Sequence, residues 1–185
     1  MNSLALKTKK FTPLGLKGKW LLFLGNITIE PFSMLLYSKP GGGKSTFAIM
    51  LAYYLANDLN KKVCYIASEE GPGATLQEKF KRKRCFHKNI DIYDNKNSID
   101  FKKHGFVIMD SVTDMGYSPG QLKNIQAKSF PYGISLIYIL HSTKSGSFRG
   151  ENTYAHLVDI NIKIENGIAF NEKNRYGGEG RFIIY

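Results

Sequence analysis

The chain has 185 residues, 43% of them hydrophobic and 22% charged, which suits one α/β domain with a real core and excludes a disordered segment. Lys and Arg number 26 against 15 Asp and Glu, a net charge of +11; this points to an acidic partner, most often nucleic acid, unless the lysines only reflect AT-rich coding DNA. No apolar run approaches the ~18 residues of a membrane helix, the basic N-terminus lacks the apolar stretch of a signal peptide, and Cys64 and Cys85 form no C-x-x-C pair. The expectation is a cytoplasmic protein without zinc or a disulfide framework, with Cys64 in the core.

In chain order, residues 1–12 read as a polar, basic arm. WLLFLGNI (20–27) reads as a short amphipathic element packing on the core. FSMLLYS (32–38) predicts a buried strand running directly into a glycine loop. KSTFAIMLAYYLANDL (44–59) predicts a helix that is apolar on most faces. KVCYIASEE (62–70) is a second buried strand, and TLQEKFKRKR (75–84) a helix with Leu76 and Phe80 four apart. NIDIY (89–93), FVIMDS (106–111) and ISLIYILHS (134–142) predict further strands, with a short helix at GQLKNIQAK (120–128). DINIKIENGIAF (159–170) alternates around a turn and predicts a hairpin; GRFIIY (180–185) is the last strand. Apolar strands alternating with helices predict an α/β fold with a mainly parallel central sheet, helices on both faces and a C-terminal antiparallel edge. Residues 1–29 are read as arm and packing element, and 30–185 as a single core.

YSKPGGGKST (37–46) nearly spells the phosphate loop G-x-x-x-x-G-K-[ST]. Gly41, Gly42 and Gly43 let the backbone curl around phosphate oxygens, flanked by Pro40 and Thr46. Lys44 is expected to reach the β- and γ-phosphates of ATP, and Ser45 to ligate Mg²⁺. Ser38 stands where the pattern has its first glycine, harmless if its φ is negative and strained if positive.

FVIMD ends in Asp110, which matches a Walker B strand and is the expected second Mg²⁺ holder. Glu69 and Glu70 both follow the second strand. Either could orient the attacking water, and Glu69 is preferred; the plain alternative is an acidic pair at a helix start. His141 ends another buried strand, where it could sense the γ-phosphate or be an ordinary hydrogen-bonded histidine.

Taken together, SKPGGGKST, YIASEE, VIMDSV, LHSTKSG, AHLVDINIKIE and KNRYGG resemble the RecA-like P-loop ATPases. The likeness is greatest to the ATPase core of bacterial RadA-type recombination proteins, with DnaB-type helicases next, and it spans roughly residues 30–185. KNRYGG (173–178) is its most specific part. The resemblance implies that Glu69 is the catalytic glutamate and that His141 senses the γ-phosphate. It also implies that Lys173 and Arg175 reach the ATP of a neighbouring subunit, so that the protein works as a homo-oligomer, ring or filament, with nucleotide at the interface. The segment 142–150 falls on a loop that contacts single-stranded DNA in that family. Lys144 and Arg149 suit phosphates and Phe148 suits base stacking, although a solvent loop with incidental charges would look the same. The basic run KFKRKR (79–84) could join Lys88, Lys102 and Lys103 in a phosphate-binding patch, or be a solvated face.

The zinc ribbon and protease-like domain of RadA-type proteins are not found in this sequence, so it reads as a minimal core. The function implied is a DNA-dependent ATPase acting in recombination, repair or replication. The alternative is a nucleotide-gated assembly or switch module that binds a protein partner. A small-molecule kinase is a poor third reading, because the KNR segment would have no purpose there.

Overall fold

The computed structural model describes residues 2–94, 101–142 and 151–185. An eight-stranded sheet carries the chain: β1 (Ser33–Ser38), β2 (Val63–Ala67), β3 (Ile90–Tyr93), β4 (Phe106–Asp110), β5 (Ser135–His141), β6 (Ile160–Glu165), β7 (Ile168–Asn174) and β8 (Arg181–Ile183). Their order across the sheet is β3-β2-β4-β5-β1-β6-β7-β8. The first six in that order are parallel; β7 reverses and β8 runs back beside it. The α/β class and the antiparallel C-terminal edge therefore match the sequence expectation.

The helices are α1 (Ser3–Thr8), α2 (Gly18–Leu24), α3 (Lys44–Asn57), α4 (Ala74–Lys83), α5 (Pro119–Ser129) and α6 (Glu151–Leu157). All residues of β1, β2 and β4 are buried. Successive residues feed opposite faces, as strand geometry requires. Met34, Leu36, Val63, Tyr65 and Ile108 join the core under α2, α3 and α4, while Leu35, Tyr37, Cys64, Ile66 and Val107 join the core under α5. Because both faces are covered, these strands read as unbroken apolar runs. α5 starts with a capping box in which Ser118 and Gln121 satisfy each other's backbone N–H groups.

The packing element lies at 18–24, earlier than the 20–27 read from sequence. Gly25, with φ 76°, stops the helix, and a side chain there would overlap the backbone of Tyr176 and Gly178. Gly178 in turn lies against Phe23 O and the Leu24 backbone, with no room for a Cβ. The two glycines thus bring the end of α2 into backbone contact with the KNRYGG segment. Trp20, Phe23 and Leu24 are buried in the main core. Residues 2–12 are exposed, and α1 within them buries none of its residues. Among the described residues, no helix is long and apolar enough to cross a membrane.

Candidate nucleotide site

The parallel register puts four strand ends in a row. Ser38 pairs with His141, Met109 with Tyr138, and Ala67 with Asp110. The carboxyl ends of β1, β5, β4 and β2 therefore open on one crevice, the position where open α/β sheets bind ligands. A cavity of about 240 Å³ lies there, lined by the loop residues Pro40, Gly41, Gly43, Lys44, Ser45 and Thr46 on one side, and by Glu69, Glu70, Lys79, His141 and Tyr185 on the other.

The loop turns tightly because Gly41 and Gly43 have φ of 74° and 106°, values that favour glycine. Gly43 then caps α3, so the helix N-terminus faces the cavity. Ser38 is absent from the positive-φ residues and carries no strain of that kind. It packs instead on Gly42, where an added Cβ would come within 2.5 Å of Ser38 Oγ. Lys44 is buried, and its Nζ lies 3.2 Å from Ser38 Oγ, 3.4 Å from Ser38 O and 3.3 Å from Lys39 O. Burial pulls its pKa below the ordinary value, while Asp110 and Glu69 oppose that. A buried ammonium held by neutral acceptors at the wall of a cavity is poised to exchange them for an anion.

Asp110 is 3% exposed and accepts a 2.6 Å hydrogen bond from Tyr65 through Oδ2. Its Oδ1 has no partner among the described residues. Burial pushes the carboxyl above its ordinary range, against the pull of Tyr65 and then Ser45. A buried carboxylate oxygen without a partner, close to the Ser45 side chain, fits a hard cation such as Mg²⁺ held between the two. The same burial drives the Tyr65 hydroxyl well above its usual pKa, so it stays a donor.

The two carboxylates after β2 separate cleanly. Glu69 Oε2 lies 2.8 Å from His141 Nε2, whereas Glu70 Oε1 is engaged at 2.6 Å by Lys79 Nζ from α4. Asp114, held at 2.6 Å by Ser111 Oγ, completes a cluster with Glu69 and His141 whose ligand atoms lie within 4.8 Å of one another.

Lys173 and Arg175 are not brought to this cavity. β7 pairs Asn174 with Ile160 and Lys173 with Asn161, and Ile160 lies beside Met34 near the start of β1. That end of the sheet is four residues, or about 13 Å of strand, from Ser38. Arg175 meets Asp159 at 3.0 Å with its side chain 61% exposed. Lys173 Nζ donates to Ala155 O and Val158 O, at the C-terminal end of α6, and burial lowers its pKa. Lys144, Phe148 and Arg149 lie outside the described residues.

Sequence reasoning missed the aromatic and basic wall of the site. Tyr185 reaches Gly41 O at 3.3 Å, and its ring lies 3.3 Å from a Cβ placed on Gly43. Lys83 Nζ donates to Ile184 O at 2.8 Å and sits 5.7 Å from the Tyr185 ring centre. With Thr46, Lys79 and Arg82 these residues line an adjoining cleft of about 410 Å³. Part of the basic run is thus committed to the cavity rather than to a solvent-facing patch. The available signal was position: a helix leaving the carboxylate strand turns its i, i+4 residues Lys79 and Lys83 to the same side.

Strand order, the glycine loop feeding α3, and the row of polar strand ends define a RecA-like P-loop fold. Within that class the chain is related in sequence to proteins named DNA repair protein RadA. It is 28% identical to the one from Campylobacter jejuni over 190 residues, covering 89% of this chain and 42% of the relative. It is 27% identical to that of Mycolicibacterium smegmatis over 181 residues, 86% of this chain and 38% of the relative. The chain thus spans about two-fifths of the length of the curated relatives it matches. A KaiC-like protein from Pyrococcus horikoshii shares the fold, with a TM-score of 0.61 and 16% identity over 94% of both chains. No protein-family model matches the chain.

Proposed function

We propose that the protein is a cytoplasmic ATPase that binds Mg²⁺-ATP, works as a homo-oligomer and couples hydrolysis to single-stranded DNA in repair, recombination or replication. The observation that carries this reading is the convergence of Lys44, Asp110 and the Glu69–His141 pair on one crevice, while Lys173 and Arg175 stand at the far end of the same sheet. That distance supports the reading in which a neighbouring subunit supplies the finger. The relatives named DNA repair proteins support the DNA assignment, as does the charge of +11.

The chemistry follows from the residues. The loop N–H groups and the α3 N-terminus bind the phosphate chain, and Lys44 exchanges the carbonyls of Ser38 and Lys39 for phosphate oxygens. Ser45 and Asp110 would hold Mg²⁺, which would supply positive charge to offset that of the phosphate chain. Glu69 accepts a hydrogen bond from the attacking water and takes its proton as the γ-phosphoryl leaves ADP; His141 orients the carboxylate. The products are ADP and inorganic phosphate. Arg175 of a neighbouring subunit stabilises charge on the transferring group.

The test is ATPase rate with and without single-stranded DNA, beside light scattering for mass. DNA-stimulated turnover that weakens steeply with salt is the expected result. Turnover indifferent to DNA and salt, in a particle that stays monomeric with ATP, would refute this reading.

A further inference from the structure

We propose that Lys79 is a second phosphate-binding lysine of the site, with Glu70 as its positioning residue. The inference rests on the nucleotide reading above and adds a group to it. Lys79 lies on α4, one helix removed from the phosphate loop, yet it lines both the phosphate cavity and the adjoining cleft. Among the described residues, Thr46 and Tyr185 share that position with it. Lys79 therefore stands at the seam where a phosphate chain would pass from one space into the other.

The Glu70–Lys79 pair spans nine residues and closes the turn between β2 and α4. Gly71, with φ 63°, lets the chain fold back there. An ammonium has three donors, and Glu70 takes one. The side chain is 37% exposed against 20% for Glu70, so its remaining donors are open to a ligand while its root is fixed. The charges agree with the geometry. Lys79 disfavours the charged form of Lys44 and favours that of Asp110, which makes it electrostatically part of the phosphate cavity. Two lysines from different helices facing one small cavity repel each other. A polyphosphate between them turns that repulsion into attraction for both.

A purely structural ion pair gives a different signature. Breaking it from either side removes the same contact, so Lys79→Gln and Glu70→Gln would then weaken ATP binding equally. The expected result is unequal: Lys79→Gln weakens ATP about ten-fold or more, Glu70→Gln about three-fold or less, and Lys79→Arg stays close to the parent. Inorganic tripolyphosphate, competed against ATP on this 185-residue chain with Mg²⁺, should lose affinity by a similar factor in Lys79→Gln. Equal losses in the two glutamine variants, no loss in Lys79→Gln, or a loss for ATP with none for tripolyphosphate would each overturn the proposal. Failure of the nucleotide reading itself looks different: the parent protein would not bind ATP, or Lys44→Ala would bind it as well as the parent.

Discussion

Glu69 Oε2 and His141 Nε2 meet at 2.8 Å across the mouth of the phosphate cavity, although 72 residues separate them. The contact exists because β2 and β5 both end at that crevice, on either side of β4. In the hydrolysis proposed above, this contact would hold the carboxylate ready for the attacking water. Glu69→Gln should therefore bind ATP within a few-fold of the parent and lose about 10²–10⁴ in turnover. His141→Ala, which leaves the carboxylate in place but unsteered, should lose less. Single-turnover hydrolysis beside equilibrium ATP binding separates the two effects; full activity in Glu69→Gln would remove it from the mechanism.

Ser38 occupies the place of a glycine without positive φ, and its hydroxyl joins the shell around Lys44 at 3.2 Å. Ser38→Gly should cost about 1 kcal/mol or less of stability and leave ATP binding nearly intact. Gly42→Ala should be the harsher change, because its methyl group would meet Ser38 Oγ at 2.5 Å. The double variant Ser38→Gly, Gly42→Ala should recover part of the loss. Urea unfolding and ATP titration of the three variants would show this, and an innocuous Gly42→Ala would contradict it.

Lys173 and Arg175 lie two residues apart and should fail differently. Arg175 forms an exposed pair with Asp159, worth under ~1 kcal/mol. Lys173 satisfies two carbonyls at the end of α6, and removing it should cost roughly 1–3 kcal/mol. Arg175→Ala is thus expected to fold as well as the parent and to stop turnover only in assemblies. Mixing it with Glu69→Gln subunits should restore some hydrolysis, since one site in the mixture then has both groups. No recovery at any ratio would argue against a finger supplied by a neighbour.

Both cysteines are buried, and burial pushes the Cys64 thiol up to about 12 and raises Cys85 as well. Native protein at pH 8 should react with a disulfide reagent only as fast as it opens. Two thiols should appear at once in denaturant. Rapid labelling of the folded chain would contradict the burial of both.

Much of this architecture can be read from the sequence because the parallel strands are buried on both faces. Runs such as SMLLYS and FVIMD are apolar throughout and end abruptly in a polar residue, so both strand and crevice declare themselves. The glycine loop is legible for the same reason: few other sequences turn a strand into a helix N-terminus. α6 was not foreseen, since its Glu151–Leu157 follows a glycine-rich stretch and carries no long apolar period. The Glu70–Lys79 and Lys83–Tyr185 contacts were equally hidden. They depend on how α4 folds back and where the last strand ends, which local patterns do not encode. The run KFKRKR reads as one basic surface, but neighbours on a helix point about 100° apart, and which of them reach the cavity depends on how α4 packs.

Trp20 is the only tryptophan in the chain. Its ring lies 4.4 Å from that of Phe182, 5.3 Å from Tyr54 and 5.5 Å from Phe47, centre to centre. Phe47 and Tyr54 belong to α3, whose first residue is Lys44. Phe182 lies on the edge strand β8, three residues before Tyr185, whose hydroxyl reaches Gly41 O. The indole therefore touches α3, which begins at the loop, and β8, whose chain runs on to Tyr185 in the cavity wall, while it does not line the cavity itself. The protein carries a built-in optical probe: its intrinsic fluorescence should follow filling of the loop in real time, with no label attached.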